Sequence, residues 1–153
     1  MPFASKDEAN GKYEHFLLKE WDIVMSTSGT LGRYAIVRDE HLPLCLNTSI
    51  IGFRPKLNFN DYSYVYGYLT SVEFYNHLIS NASGSVQLNF GPTHLRKIYM
   101  VMSDIQTREK YHKLLFPVIK MIIANRNQNE KLSQLRDTLL PKLMSGELRI
   151  PLD

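Results

Sequence analysis

The sequence predicts an α+β protein in which a small, mixed or antiparallel β-rich domain with helices precedes one long projecting helix. Seven of the eight glycines and most of the aromatic residues lie before residue 103. Short β-like runs separated by glycines occur only in that first part, whereas the last part repeats apolar residues at steps of three and four. We therefore place a boundary at Ser103 and expect two units, 1–103 and 104–153.

Two short segments around residue 30 predict a β-hairpin. Segments 22–28 and 33–38 have the apolar and β-branched composition of strands. The connection between them, 29–32, reads Gly-Thr-Leu-Gly and supplies the glycines that a hairpin loop needs. A third β-rich run covers 44–54 and is ended by Pro55.

The segment 61–82 carries two periodicities. Alternation typical of a strand is shown by Tyr62, Tyr64, Tyr66 and Tyr68. A single helical face is formed by Val65, Tyr68, Leu69, Val72, Tyr75 and Ile79. The length of the segment favours a helix with Asn60 or Asp61 as its N-cap. We expect a shorter strand pair at about 86–89 and 98–101.

The last third of the chain predicts one helix from Asp104 to about Leu140, which would be roughly 55 Å long at 1.5 Å per residue. Ser103 and Gln106 have the spacing of a capping box, and Gly146 fits the C-terminus of the helix. Pro117 lies inside the helix and should kink it. Because such an amphipathic helix would extend beyond a domain of this size, we expect a partner helix to pack along it.

Composition and charge bound the function. The net charge is +3 and no segment has a strong basic excess, so charge permits DNA binding without arguing for it. The single cysteine, Cys45, excludes an internal disulfide framework and suggests a reducing compartment. No apolar run is long enough to cross a bilayer, and the N-terminus has no signal-peptide stretch. We expect a cytoplasmic protein without a membrane partner.

No motif of a catalytic or cofactor site stands out. The five histidines are scattered, and none has metal-ligand spacing with Cys45 or a carboxylate. Phosphate loops, dinucleotide-binding glycine motifs, nucleophile elbows and the Asn/Asp-Pro-Pro-Tyr motif of methyltransferases are missing. We therefore expect a binding protein with no active site, metal or cofactor of its own.

The first candidate DNA contact is the hairpin connection at 29–32. It is either a simple turn or a tip at which Ser28, Thr30 and Arg33 present donors to DNA, since small residues allow close approach to phosphate and arginine pairs with guanine. A Gly-x-x-Gly loop of the KH type is disfavoured because strands, not helices, flank it.

The second candidate is the polar segment 84–89. If it is extended, Gln87 and Asn89 share one face, where their amides either pair with adenine edges or satisfy buried backbone groups. Arg96 and Lys97 follow shortly afterwards and are more typical of phosphate contacts or solvated charges than of base readers.

The tail at 125–147 resembles the C-terminal conserved region of type I restriction-modification specificity subunits. The resemblance continues upstream, in the order of the family, at 22–26, 29–33, 46–55 and 84–87, and covers most of the chain from about residue 13. Trp21 stands where the family commonly has glycine before an aspartate. That substitution either alters a turn or fills space.

The resemblance implies a subunit that has no active site and binds double-stranded DNA through target recognition domains. Methyltransferase (M) subunits dock on it and supply the chemistry, and a restriction (R) subunit adds cleavage. In the family two conserved helices pair antiparallel. Here the resemblance covers one helix and one recognition domain, which we expect to lack its usual N-terminal portion. We therefore expect a homodimer or pairing with another specificity half. The alternative is a truncated remnant that acts only in helical dimerisation or assembly, without DNA readout.

The candidate residues fall into two groups. The expected DNA contacts are Ser28, Thr30, Arg33, Gln87 and Asn89, with Arg54, Lys56, Arg96 and Lys97 as phosphate partners. The expected helix interface is Ile119, Ile122, Leu132, Leu135 and Leu139. The plainer alternative is that these apolar side chains only pack on their own domain.

Overall fold

The computed structural model describes residues 14–55, 59–82 and 90–148, and it confirms the α+β fold. Its three strands are β1 (Ile23–Ser26), β2 (Tyr34–Ile36) and β3 (Ile50–Phe53). Its helices are α1 (Tyr62–Leu69), α2 (Val72–Asn81), α3 (Pro92–Leu95) and α4 (Ile105–Met144). Single 3₁₀ turns occur at Glu14–Phe16, Asp39–His41 and Phe59–Asp61.

The sheet is antiparallel and places β1 between its two neighbours, in the order β2-β1-β3. The hairpin formed by β1 and β2 confirms the expectation from the sequence. Ile23 pairs with Ile36 on one side and with Phe53 on the other. The β-rich run at 44–54 is a strand only over its last part, β3. Because side chains alternate along β1, Ile23 and Met25 both face the core.

The core lies where this face of the sheet meets the helices. Burial of apolar surface is the main stabilising term in such a small domain. The buried cluster consists of Ile23, Met25, Tyr62, Leu69, Phe74, Leu78, Phe90 and Ile119. One of its members, Ile119, comes from the long helix α4, so this helix is part of the domain that it follows.

The prediction of a single helix over 61–82 is wrong, because the segment forms two helices. Helix α1 ends at Thr70, and Ser71 takes an extended backbone conformation with ψ of 155°. The Ser71 hydroxyl accepts a hydrogen bond at 3.1 Å from the amide of Phe74 and so caps α2. The break allows Tyr62 in α1 and Phe74 in α2 to enter the same core.

The prediction of a strand at 98–101 is also wrong, because this segment has no regular secondary structure. The carbonyl oxygens of Tyr99 and Val101 accept hydrogen bonds from the hydroxyls of Tyr68 and Tyr64, at 3.3 and 2.9 Å. The tyrosines of α1 thus bond backbone groups that a neighbouring strand would bond in a sheet. Its expected partner at 86–89 lies outside the described residues.

Helix α4 is continuous over 40 residues, or roughly 60 Å. Asp104 caps it, not the expected pair of Ser103 and Gln106, because the Asp104 carboxylate accepts from the amide and the hydroxyl of Thr107 at 2.9 and 2.6 Å. These hydrogen bonds lower the pKa of Asp104. The chain stays helical on both sides of Pro117, and Gly146 ends the helix with a φ of +73°, as expected.

Polar contacts fix the first turns of α4 to the domain. The Arg108 guanidinium donates to the Asp61 carboxylate at 2.6 Å and to the carbonyl of Ser103. His112 Nδ1 lies 3.0 Å from the Ser63 hydroxyl, and its ring stacks on Phe116 with centroids 4.6 Å apart. By contrast, residues 131–148 are all exposed. The helix is therefore docked along its first half and projects along its second.

His112 should make the stability of the protein depend on pH. Burial lowers the pKa of His112, and the attraction of Asp61 offsets this only in part. Below the ordinary histidine pKa of about 6.5 the unfolded chain binds the proton more readily, so the free energy of unfolding should fall as the pH drops from about 6.5. Urea unfolding between pH 7.5 and 5.5 should show this loss in the natural chain and less of it in His112→Gln. Equal pH dependence in both proteins would contradict the assignment.

Candidate nucleic-acid interface

The connection between β1 and β2 forms a tip held by the side chain of Ser26. The Ser26 hydroxyl donates to the carbonyl of Thr30 and accepts from the amide of Arg33 at 3.1 Å. The backbone of Ser26 adds an acceptor for Gly32 N–H at 3.1 Å. One serine at the end of β1 therefore bonds three positions of the loop and gives the tip a defined shape.

Two glycines allow the tip to adopt this shape. Gly29 and Gly32 have φ values of +70° and +80°, a region that other residues rarely adopt. A Cβ atom at Gly32 would also lie 3.3 Å from the side chain of Leu78 and 3.4 Å from that of Tyr75. Because both belong to α2, the tip rests on a helix and is not a free loop.

The tip carries three of the expected DNA contacts. Thr30 and Arg33 are exposed and Ser28 is half-buried. Arg33 is exposed, and no ion pair joins it to another described residue. Phe90 N–H donates to the carbonyl of Thr27 at 2.9 Å, which fixes the residue following Asn89 beside the tip.

The other expected contacts are not assembled at the tip by any contact in the structure. Arg96 and Lys97 are exposed and lie in the turn after α3. Lys56, Gln87 and Asn89 lie outside the described residues. The His94 side chain, between Phe90 and Arg96, has a structural role, since its Nδ1 accepts from the amide of Gly91 at 2.9 Å.

Arg54 has a partner within its own domain. Its Nε donates to Asp22 Oδ1 at 2.6 Å, and its Nη2 donates to Asp22 Oδ2 and to the carbonyl of Leu17. The side chain of Asp22 is only 4% exposed, so its charge requires this partner. The hydrogen bond with Asp22 raises the pKa of Arg54. The geometry favours a structural role for Arg54 over the expected phosphate contact.

Trp21 both keeps a turn and fills space. It is the only non-glycine residue with a positive φ in the described part of the chain, at +71°, a conformation that glycine adopts without strain. Its ring packs against Tyr62 and Phe116, with centroid distances of 5.9 and 5.2 Å. The indole thus joins the base of the hairpin to α1 and α4.

The expected helix interface is divided between two faces of α4. Ile119 is 1% exposed and packs in its own core, so it is not available to a partner helix. Ile122, 41% exposed, lies only about 60° around the helix from Ile119 at 100° per residue and borders the docked face. By the same measure Leu132, Leu135 and Leu139 lie roughly 160–220° from Ile119, on the face that points away from the domain.

The outward face continues upstream through residues that the sequence analysis did not select. These exposed side chains are Leu114, Val118 and Met121. They lie at roughly 200–260° from Ile119, on the same side as the three leucines. Apolar residues follow both faces at steps of three and four, so periodicity alone does not distinguish them. The only signal in the sequence for a second stripe was the spacing of Leu114, Val118 and Met121 at steps of four and three.

Surface clefts near these sites are shallow and lined by aromatic groups. One of about 250 Å³ lies between Gly32, Tyr34 and the start of α2. Another of about 380 Å³ lies between α1, Val101 and Tyr111.

Among the described residues, no helix has both the length and the apolar character needed to cross a membrane.

Comparison with known proteins gives two matches. A family model described as "Type I restriction modification DNA specificity domain" matches residues 3–134. The specificity subunit of the type I restriction enzyme MjaIX from Methanocaldococcus jannaschii is 39% identical to the chain over 62 residues. That alignment covers 34% of this chain and only 14% of the relative, so a small part of the relative's length is represented here.

Proposed function

The chain belongs to the family of type I restriction-modification DNA specificity domains, and from this membership we propose that it is a DNA-recognition module. Residues 1–103 supply part of a target recognition domain, and residues 104–153 supply the helix that joins it to a second half. The module is not an enzyme itself. It presents a DNA sequence to methyltransferase and restriction subunits, which dock on it and perform the chemistry.

The observation that carries the DNA-binding proposal is the braced hairpin tip. Its loop is fixed by Ser26 and rests on α2, so little conformational freedom is lost when a ligand binds. Arg33 is exposed at this tip, and an arginine guanidinium can bond guanine or phosphate oxygens. Thr30 and Ser28 add neutral donors and acceptors at the tip, and we assign the same role to Gln87 and Asn89.

Phosphate contacts are assigned to Lys56, Arg96 and Lys97. The last two are exposed in the turn after α3, close in sequence to the tip-anchored Phe90. Phosphate contacts set the position of a protein on DNA without specifying sequence. Arg54 is left out of this set, because its guanidinium already bonds Asp22 within the domain.

We expect binding to DNA to weaken steeply with salt, because phosphate contacts release counterions. Replacing Arg33 by alanine should reduce affinity about tenfold, the loss of one good arginine contact. Fluorescence anisotropy between 50 and 200 mM salt, with the methyltransferase subunits present, measures both effects. Lys131→Ala removes one positive charge from the projecting half of α4 and is the matched control. Absent binding, or equal losses in both variants, would contradict the role of the tip.

The outward stripe of α4 supports pairing with the helix of a second specificity half, and we propose a second copy of this chain as that half. Leu132, Leu135 and Leu139 are exposed, and so is every other residue of the segment 131–148 that carries them. Leucines at steps of three and four form the seam of a coiled coil. Pairing buries them and gives the assembly two recognition domains related by symmetry.

The same experiments distinguish the alternative function. A protein that self-associates and captures methyltransferase subunits but shows no DNA binding would be an assembly factor without sequence readout. The exposed stripe on α4 is compatible with that role, because it does not depend on the hairpin tip. Light scattering and a pull-down with purified methyltransferase subunits measure the two properties separately.

A further inference from the structure

Arg38 connects the end of the hairpin to the middle of α4. Its Nη1 lies 2.6 Å from the Glu40 carboxylate and also donates to the Asn127 amide oxygen. Its Nη2 lies 2.7 Å from Glu130 and 2.7 Å from His41 Nε2. The Arg38 side chain is only 14% exposed. Four acceptor groups, two of them on α4, therefore converge on one guanidinium.

These contacts are the last side-chain bonds between α4 and the rest of the domain among the described residues. Upstream, the helix is held by Arg108, by His112 and by Ile119 and Ile123 in or against the core. Downstream of Glu130 it is exposed to its end. With the Arg38 contacts in place, the unsupported part of the helix runs from Glu130 to Met144, a length of about 21 Å. Without them it would run from Ile123 to Met144, a length of about 32 Å.

Pro117 does not supply the flexible point. It lies between His112 and Ile119, both of which are buried against the domain, so the lost backbone hydrogen bond at the proline is flanked by fixed residues. Bending of the helix relative to the domain is therefore expected beyond Ile123, in the segment that Arg38 holds.

The same cluster has the composition of a metal site, with ligand-type atoms of Glu40, His41 and Glu130 within 4.8 Å of one another. Arg38 already bonds all three groups, so its positive charge neutralises one of the two carboxylate charges. A divalent ion would have to displace the guanidinium, since Nη2 lies on both His41 Nε2 and Glu130. The cluster is thus a cation site whose cation is supplied by the chain.

We infer that Arg38 is a positioning residue that fixes the direction of the projecting half of α4 relative to the hairpin domain. The planar guanidinium bonds the 3₁₀ turn Asp39–His41 and two helix positions one turn apart, which a single ammonium group would not bridge. This role is independent of DNA binding. In the proposed function it sets where a second recognition domain stands.

Pulsed electron spin resonance tests the inference through a distance distribution. In a Cys45→Ser background, spin labels at Ser80→Cys on α2 and Gln134→Cys on α4 report the direction of the helix. Labelled chains are diluted with unlabelled ones to remove distances between copies. In the natural chain the last anchor is Glu130, about 6 Å from the label at 134, whereas in Arg38→Ala it is Ile123, about 16 Å from the label. The distance distribution should therefore widen about twofold.

Controls separate positioning from general loss of structure. Glu130→Gln removes the charge of one helix partner of Arg38 and should widen the distribution in the same direction, while Arg38→Lys should restore it only in part. Arg136→Ala, an exposed arginine that pairs with the adjacent Asp137, should leave it unchanged. An unchanged width in Arg38→Ala and Glu130→Gln would overturn the inference. A zinc-dependent rise in Tm of the natural chain that His41→Ala abolishes would overturn it as well.

Discussion

Replacing Arg108 by alanine should lower the free energy of unfolding by about 3–5 kcal/mol, the usual effect of removing one partner of a buried ion pair. The substitution leaves the Asp61 carboxylate, 9% exposed at its side chain, without the group that neutralises it. It also removes the donor that bonds the carbonyl of Ser103 just before α4. Such a loss is a large share of the stability of a small domain.

Urea unfolding at neutral pH, followed by circular dichroism, measures this effect. The double variant Arg108→Met with Asp61→Asn removes both charges and should be less destabilised than Arg108→Ala, since no buried charge is left unpaired. Arg136→Ala is the surface counterpart, with an expected effect below about 0.5 kcal/mol. If Arg108→Ala and Arg136→Ala were equally mild, the ion pair would not be what fixes the start of α4.

Local signals in the sequence were sufficient for several elements. The glycines at 29 and 32 predicted the hairpin because a tight connection needs residues that accept a positive φ, and both do. Gly146 predicted the end of α4 for the same reason. The long helix followed from the scarcity of glycine over 104–144, where only two prolines interrupt favourable residues.

Features that depend on a choice between two local structures of similar free energy were not predictable from the sequence. Ser71 and Thr70 fit a helix surface as well as a break, and the break occurs because Tyr62 and Phe74 reach the core from two directions. Asp104 and Ser103 are both good N-caps, and the choice depends on Thr107, which bonds the aspartate twice. These are tertiary or side-chain choices among local options of similar free energy.

In the candidate site, too, local sequence signals were readable and long-range contacts were not. Arg33 was selected because an arginine beside small residues can reach guanine or phosphate, and it stays a prediction. Arg54 was selected as a phosphate partner and proved to have a buried partner 32 residues away. Arg38 was missed because its partners on α4, Asn127 and Glu130, are 89 and 92 residues distant. Ion pairs of this range leave no periodic pattern in a single sequence.

The outward leucines of α4 are exposed on the side of the helix that faces away from the described part of the domain. Leu132, Leu135 and Leu139 are 53%, 53% and 36% exposed, and the segment that carries them extends roughly 20 Å beyond Glu130. An isolated helix of this length is stabilised mainly when an apolar face is packed. Ile119, by contrast, is buried in the domain, so its replacement by alanine should lower the free energy of unfolding without weakening association.

Replacing Leu132, Leu135 and Leu139 together by alanine should raise the dissociation constant of the paired helices at least about 100-fold. Each buried leucine contributes on the order of 1.5–3 kcal/mol, and 1.4 kcal/mol corresponds to a factor of ten. Alanine retains the helical propensity, so the free energy of unfolding of the domain should be almost unchanged.

The matched control replaces Lys131, Gln134 and Thr138 by alanine on the flank of the same segment. Sedimentation velocity over a range of concentrations should show dimers for the natural chain and the control, and monomers for the leucine variant. Monomers in all three proteins would contradict pairing with a second copy, and equal weakening in both variants would place the interface on another face of the helix.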